Sequence, residues 1–342
     1  MNSLQISLLV AGGVTLLAVV LYNQWVSRKS APRQADATVD KAPSIPATED
    51  APVEPVLEDD FRNLPQPERK PVLDALIDVI STIEVDQPVS GDAALAALPA
   101  TRRVGTKPFN VEGCSELSGE WEPLAPGRRY SAFQAGVQLA NRMGPLNEIE
   151  FSEFVVKAQA FADAVGGSPS FSDMLEEVAR ARELDQFASA HDAQLSVTLM
   201  ARATAWSPGY VQQHAARLGF VAGVIPGRMV LPSPVQGLPP VLSLTFDTQA
   251  ALADDPALSA IRECVLSLDV PQVPRTDQPF ERLHQVSQML AQQMDGVITD
   301  GSGQVLGQDV MQQIGMDLQQ LYDALDSREL SAGSPQARRL FS

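Results

Sequence analysis

The side chains that could perform catalysis are few and widely spaced in this chain. His191, His214 and His284 lie in separate elements, and none has a second metal-ligating side chain four residues away, as a helical metal site requires. The phosphate-binding pattern G-x-x-x-x-G-K-S/T and the esterase pattern G-x-S-x-G are both absent. We therefore predict that the protein is not an enzyme and that it uses no cofactor and no metal.

Carboxylates are abundant, but their spacing does not suggest catalysis. The chain of 342 residues has 42 acidic and 25 basic side chains and a formal net charge of −17. Pairs such as Asp254 and Asp255 are adjacent rather than opposed, so solvated acidic surfaces are the simpler interpretation. The run DGSGQVLGQD at 300–309 lacks the alternating acidic ligands and final glutamate of a calcium loop. The negative charge, without a basic stripe, argues against nucleic acid as a partner.

The two cysteines, Cys114 and Cys264, are far apart in the sequence. Two such thiols do not form a disulfide framework, so we expect a reducing compartment. A single disulfide bond between the two is the alternative.

An uncharged apolar run covers residues 4–22, and Arg28 and Lys29 follow it. About 19 apolar residues are enough to cross the hydrocarbon core of a bilayer, and basic residues mark the cytoplasmic flank. We therefore predict a single-pass transmembrane anchor within residues 1–27, with the N-terminus in the periplasm and the bulk of the chain in the cytoplasm. Small residues recur at every fourth position of this run, which leaves self-association of the helix open.

Prolines are frequent between residues 28 and 71, where they alternate with Ala, Thr, Asp and Glu, and large apolar residues are rare. Such a composition cannot bury a core, so residues 28–71 are predicted to be a disordered acidic linker. Residues 331–342 are predicted to be a flexible tail.

Residues 72–330 contain two similar series of elements, which predict two tandem modules at 72–190 and 191–330. Alternating apolar residues predict strands at 76–85, 109–114, 119–124 and 130–140, and at 195–203, 220–225, 228–232, 241–247 and 264–270. Helical spacing predicts helices at 91–98, 151–165 and 174–188, and at 208–219, 280–294 and 309–325. The predicted fold class is α+β, with an open antiparallel sheet and helices on one face of each module. A single enlarged domain is the alternative.

The second module resembles the FtsZ-binding domain of the ZipA family of bacterial cell-division proteins. The resemblance covers about 193–326 and lies in the order QLSVTLMARA, a helix ending RLGF, PPVLSLTF, CVLSLDVP, a helix ending QQMDG, VITD and a closing helix. The anchor and linker resemble that family in architecture only. Residues 72–190 look like a second, diverged copy of the domain.

The resemblance implies a particular binding face. In the ZipA family the sheet face that the helices leave uncovered holds a shallow apolar groove for the C-terminal tail of FtsZ, a tubulin-like filament former. Alternation places Leu195, Val197 and Leu199 toward the helices. The implied FtsZ-tail binding residues are Thr198, Met200, Ile225, Val241, Thr245, Val265 and Ser267. Several of these are Ser or Thr where the family has large apolar side chains, so weak binding, a shifted groove, use of the first module and a merely solvated face all stay open.

The resemblance also implies a role and a location. The protein would be a cell-division adaptor of the bacterial inner membrane that tethers FtsZ filaments to the cytoplasmic face of the bilayer. Its partners would be the FtsZ C-terminal peptide and the membrane. A membrane-anchored scaffold for a different protein partner is the alternative.

Overall fold

A computed structural model describes residues 32–35, 72–253, 255 and 259–342. They divide into two compact units. The first unit comprises residues 72–192 and Pro335–Ser342, and the second comprises Ala193–Ser334 together with residues 32–35. The predicted membrane segment at 4–22 and most of the predicted linker lie outside the described residues. Within the described ranges, no helix is long and apolar enough to cross a membrane.

The first unit is built on an antiparallel sheet with the strand order β2-β3-β5-β1-β8, in which β4 also pairs with β3. Its strands are β1 (Asp78–Ser90), β2 (Arg103–Val104), β3 (Lys107–Ser115), β4 (Trp121–Pro123), β5 (Arg129–Gln138), β6 (Ala140–Asn141), β7 (Gly144–Pro145) and β8 (Gly167–Ser170). Its helices before the second unit are α1 (Gly91–Ala97), α2 (Glu148–Val165) and α3 (Met174–His191). The strands β6 and β7 form a separate hairpin.

A cluster of phenylalanine rings fills the core between this sheet and α2. Phe133 of β5 and Phe161 of α2 meet edge to face with ring centroids 5.3 Å apart. Phe109 of β3 lies 6.1 Å from Phe154 of α2. Such pairs add to the free energy of burying the rings themselves. The helix is placed by local signals, since Asn147 and Glu150 form a capping box at its start.

The second unit contains a sheet with the strand order β10-β11-β12-β13-β9-β14, and every pairing in it is antiparallel. Its strands are β9 (Gln194–Ala201), β10 (Val221–Ala222), β11 (Arg228–Leu231), β12 (Leu242–Thr245), β13 (Glu263–Asp269) and β14 (Gly296–Thr299). Its helices are α4 (Pro208–Arg217), α5 (Thr248–Ala251), α6 (Pro279–Met294) and α7 (Gln308–Ser327). Two short 3-10 turns, Val270–Gln272 and Arg275–Asp277, precede α6.

The two units share a topology. In the first, β1 lies between β5 and β8; in the second, β9 lies between β13 and β14. In the first unit the long helix α2 comes between β5 and β8, and α3 follows β8. In the second unit the long helix α6 comes between β13 and β14, and α7 follows β14. The predicted mixed α+β class with open antiparallel sheets is confirmed.

The strand predicted at 220–225 is shorter than expected. Only Val221–Ala222 is extended, and the chain then turns back into β11. Gly227 explains the turn because its φ of 77° lies in the left-handed region. A Cβ atom there would also lie 2.7 Å from the carbonyl oxygen of Phe246, so another residue would strain the turn and clash with the neighbouring backbone.

Residues 331–342 differ from the predicted flexible tail. Pro335–Leu340 is a helix, α8, and Leu340 and Phe341 are buried. Arg339 Nη1 donates to the Asp78 carboxylate at 2.9 Å, where burial raises the pKa of Asp78 although the guanidinium opposes this shift. A short amphipathic segment in a sequence rich in Ser, Ala and Arg does not show the periodicity from which helices are predicted.

The two thiols are free and should differ strongly in reactivity. Cys114 is half-buried, whereas Cys264 is buried in the sheet and burial raises its pKa to about 12. We predict that Ellman's reagent at pH 8 labels one thiol in the folded protein and the second only after unfolding, because a reactive thiol must be accessible and ionised.

The variant Cys114→Ser is the control, and it should leave no rapidly labelled thiol in the folded protein. Labelling of Cys264 at the rate seen for Cys114 would contradict the placement of β13.

Candidate functional site

The two faces of the second sheet differ in burial. Along β9, Val197 and Leu199 are buried, whereas Thr198 and Met200 are only half-buried. The buried side chains Leu283, Leu290 and Met294 of α6 provide the complementary apolar surface. The helices therefore cover the face that carries Val197 and Leu199. The opposite surface, which we call the open face, consists of Ser196, Thr198, Met200, Arg228, Val230, Ser243, Thr245, Glu263, Val265 and Ser267.

The strand register arranges these side chains in rows across the sheet. Thr245 pairs with Val265, which pairs with Thr198. Side chains directly opposite each other on antiparallel strands lie about 4.5–5.5 Å apart at Cβ, so the row is continuous. A parallel row contains Ser243, Ser267 and Ser196.

Two hydroxyl groups of these rows donate to main-chain carbonyl oxygens of the sheet. Ser267 Oγ donates to the carbonyl oxygen of Ser243 at 3.4 Å, and Thr245 Oγ1 donates to the carbonyl oxygen of Val265 at 3.5 Å. The threonine methyl groups and Val265 provide the apolar part of the surface. The centre of the open face is therefore flat and only mildly apolar.

The strongest apolar character lies at the β10–β11 end of the sheet. Val221 pairs with Val230 and is exposed, and Val224 and Ile225 in the turn are exposed as well. Ile225 shows 54% of its surface to solvent. We call Val221, Val224, Ile225 and Val230 the hairpin patch. Exposed apolar side chains that lie together are a common mark of an interaction surface.

The structure brings together four of the residues predicted for the site. Thr198, Thr245, Val265 and Ser267 lie in adjacent rows of the open face. Met200 lies at the end of β9, between Glu263 and Val297 on the neighbouring strands. Ile225 belongs to the turn before β11 rather than to a strand.

Val241 was predicted on the outward face, and this prediction is wrong. Its side chain is 1% exposed, and it precedes β12, which begins at Leu242. Its amide donates to the carbonyl oxygen of Leu231 at 2.8 Å, at the base of the proline-rich loop 232–240. Strand alternation does not apply to a residue that closes a loop.

Sequence reasoning missed Val221, Val230 and Arg228. The signal that identifies them is the hairpin register, which sets Val221 opposite Val230 and Arg228 opposite Thr245. Arg228 is exposed, and its Nη2 donates to Ser243 Oγ at 3.1 Å. The open face therefore has one basic group beside the hairpin patch.

The corresponding face of the first unit has different chemistry. Glu112, Gln134 and Thr82 lie in register across it. The carboxylate of Glu112 accepts the side-chain amide of Gln134 at 2.8 Å and the main-chain N–H groups of Val72 and Leu73. These contacts bury the carboxyl group of Glu112 beneath the segment that leads into β1.

Leu73 also packs against this face. A Cβ on Gly136 of β5 would lie 2.6 Å from Leu73 Cδ2, so a larger residue there would displace the leucine side chain. The segment that leads into β1 therefore occupies part of the first unit's outward face.

A groove of about 460 Å³ runs beside β14 in the second unit. Its titratable lining residues are Arg202 and Asp295, and the rest of its lining is apolar or neutral polar. Among the residues that the structure describes, no group of His, Cys, Asp and Glu could hold a metal ion. The groove contains no nucleophile that is paired with a base.

The comparisons with known proteins give no family for this chain. No family profile and no curated protein matches it. Among solved structures, a match to the berberine bridge enzyme from Eschscholzia californica covers 75% of this chain and 54% of that enzyme. With 10% identity and a TM-score of 0.16, it supports no statement about fold or activity.

The assignment of the two faces predicts unequal effects for neighbouring residues of β13. We expect Leu266→Ala to lower the free energy of unfolding of the second unit by about 2–5 kcal/mol, because Leu266 is fully buried. Val265→Ala should cost about 1 kcal/mol or less, because Val265 is half-buried on the open face.

Urea denaturation followed by circular dichroism measures both changes. Equal losses in the two variants, or a larger loss for Val265→Ala, would mean that the faces are assigned the wrong way round.

Proposed function

We propose that the protein is a membrane-anchored adaptor that tethers FtsZ filaments to the cytoplasmic face of the inner membrane during cell division. The FtsZ C-terminal tail would lie on the open face of the second unit. The observation that carries the proposal is an antiparallel sheet whose helices cover one face and leave a mildly apolar face with an exposed apolar edge.

The fold supports the relationship to ZipA. The elements from β9 to α7 follow one another in the order that the resemblance implies, and β9 pairs with β13. The shared topology of the two units supports tandem copies of one ZipA-like domain. Each copy would keep the sheet and long helix, while the chemistry of its outward face has diverged.

The second unit is the better receptor for an apolar tail. Its outward face presents Val265, threonine methyl groups and the hairpin patch, whereas in the first unit Val72 and Leu73 already cover the buried Glu112. A tail bound there would have to displace this segment and would leave the carboxylate without two of its donors, which costs free energy.

Tail binding would begin at the hairpin patch and continue across the hydroxyl rows. Burial of one Leu or Phe side chain contributes about 1.5–3 kcal/mol. Two such contacts contribute about 3–6 kcal/mol, and ordering the peptide costs part of this, so the dissociation constant would be about 100 µM or weaker. Many adaptors on one membrane facing many tails on one filament would compensate for this weak affinity.

Charge favours a tail that carries basic residues. Residues 191–330 contain more Asp and Glu than Arg and Lys, so the unit as a whole is acidic. The same charge would repel the unit from anionic lipids of the inner leaflet. The apolar run at 4–22 would then provide the membrane attachment, and the basic residues after it would place the units in the cytoplasm.

A second candidate is a membrane-anchored scaffold for another protein partner. It is favoured by the hydroxyl groups at the centre of the open face, which suit a polar extended peptide better than a strongly apolar one. Localisation of a fluorescent fusion away from mid-cell would favour this candidate.

The proposed function predicts that a labelled FtsZ C-terminal peptide binds the full chain in lipid nanodiscs. We expect Ile225→Asp to weaken binding at least tenfold, because it places a charge in the hairpin patch where an apolar side chain of the tail would be buried. Fluorescence anisotropy measures the affinity.

Ile149→Asp is the matched control, since Ile149 is an isoleucine on α2 of the first unit that is even more exposed than Ile225, and it should bind as the wild type does. Absence of binding up to several hundred micromolar, or equal affinities for Ile225→Asp and the wild type, would refute the proposal.

A further inference from the structure

Residues 32–35 precede the first unit in the chain but belong to the second unit. This short segment makes main-chain contacts with it. The amide of Arg33 donates to the carbonyl oxygen of Ala205 at 2.7 Å, and the amide of Ser207 donates to the carbonyl oxygen of Arg33 at 2.8 Å. Arg33 and Trp206 thus form a parallel bridge.

The bridge extends an existing pair. Trp206 also bridges Ile261 in the antiparallel sense, with reciprocal N–H to O contacts of 2.8 and 2.7 Å. Arg33 therefore adds a third extended segment to Trp206 and Ile261. Addition of an extended segment to a free backbone edge is a general mode of peptide recognition.

The Arg33 side chain reaches the C-terminal end of α6. Its Nη1 donates to the carbonyl oxygen of Met294 at 3.3 Å, and its Nη2 donates to Asp295 Oδ2 at 2.9 Å. The last carbonyl groups of a helix lack partners within the helix and carry partial negative charge, so a cation is favourable there.

The site around Arg33 is built from rigid groups. Trp206 is fully buried, and its indole N–H donates to the same Met294 carbonyl oxygen at 2.8 Å. A hydrogen bond with Tyr210, together with the Asp295 carboxylate, raises the pKa of Arg33. The guanidinium, which is charged at any physiological pH, therefore lies between a helix end, a carboxylate and a tyrosine.

The sequence around the segment defines its register. Arg33 is the single basic residue between positions 30 and 40. The Arg33 guanidinium contacts Asp295 while the Arg33 main-chain amide donates to Ala205. Only one alignment of this segment satisfies both contacts. No other residue between positions 30 and 40 has a basic side chain that could replace Arg33 in this contact.

We infer that residues 32–35 are an intramolecular strap that fastens the second unit to the N-terminal part of the chain and divides the predicted linker into two tethers. The first tether precedes Arg33, and the second runs from residue 36 to the first unit. The strap is a property of the second unit's own contacts and does not depend on what the open face binds.

If the chain is anchored as the proposed function holds, the strap limits the distance between the second unit and the bilayer. From residue 22 to Arg33 the chain spans about 11 residues, which extend to at most about 40 Å. The second unit would therefore lie within about 40 Å of the end of the apolar run.

The test is hydrogen–deuterium exchange of the full chain in lipid nanodiscs, with the Ser207 amide as the probe. In Arg33→Ala we expect this amide to exchange at least tenfold faster, because the lost contacts of the guanidinium with Met294 and Asp295 would release the segment whose carbonyl oxygen accepts from Ser207. Arg217→Ala, which changes an exposed arginine of the same unit, is the matched control and should leave the rate unchanged. Asp295→Ala should accelerate exchange similarly, and the double variant should add little.

Every result of the exchange experiment either supports or overturns the strap. An unchanged Ser207 rate in Arg33→Ala, or an equal increase in Arg217→Ala, would overturn the strap. Faster exchange confined to Arg33→Ala and Asp295→Ala would support it. If that pattern appears in protein that binds no FtsZ peptide, the strap stands and the proposed function fails, so the two results are distinguishable.

Discussion

The register between β9 and β13 determines the chemistry of the second unit. It sets Leu266 opposite Val197 and Cys264 opposite Leu199, so that all four side chains enter the core. The intervening residues are then directed outward. A shift of one residue would place Thr198 and Ser267 under the helices and expose the leucines, so burial of the leucines fixes the register. The side chains that alternate with these core residues along β9 and β13 form part of the open face.

The first unit shows how the same architecture can acquire another surface. Its central strands are also fixed by core side chains, here Ile83 opposite Phe133. On the outward side, Glu112 accepts from the main-chain N–H groups of the segment that leads into β1 and from the Gln134 side chain of β5. A carboxylate buried in this way needs those donors, which ties the segment to the sheet. The two units thus share strand order but not the groups they offer to a partner.

Periodicity predicts what depends on burial, and it fails where contacts between distant segments decide the structure. The long helices and central strands follow from spacing alone, as does the outward placement of Thr198 and Val265. The burial of Val241 depends on how the loop before it closes, and α8 depends on the contact of Arg339 with Asp78. The hairpin patch required the pairing of Val221 with Val230. The bridge at Arg33 joins residues more than 170 positions apart, which local patterns do not reveal.

The most direct test of the central claim compares equivalent positions in the two units. Thr198 of β9 and Thr82 of β1 lie on central strands and on outward faces. A photoreactive phenylalanine derivative would replace each in turn in the full chain, followed by irradiation with the FtsZ C-terminal peptide. The account predicts a cross-link from position 198 and little from position 82. A cross-link from position 82 alone, or from neither position, would contradict it.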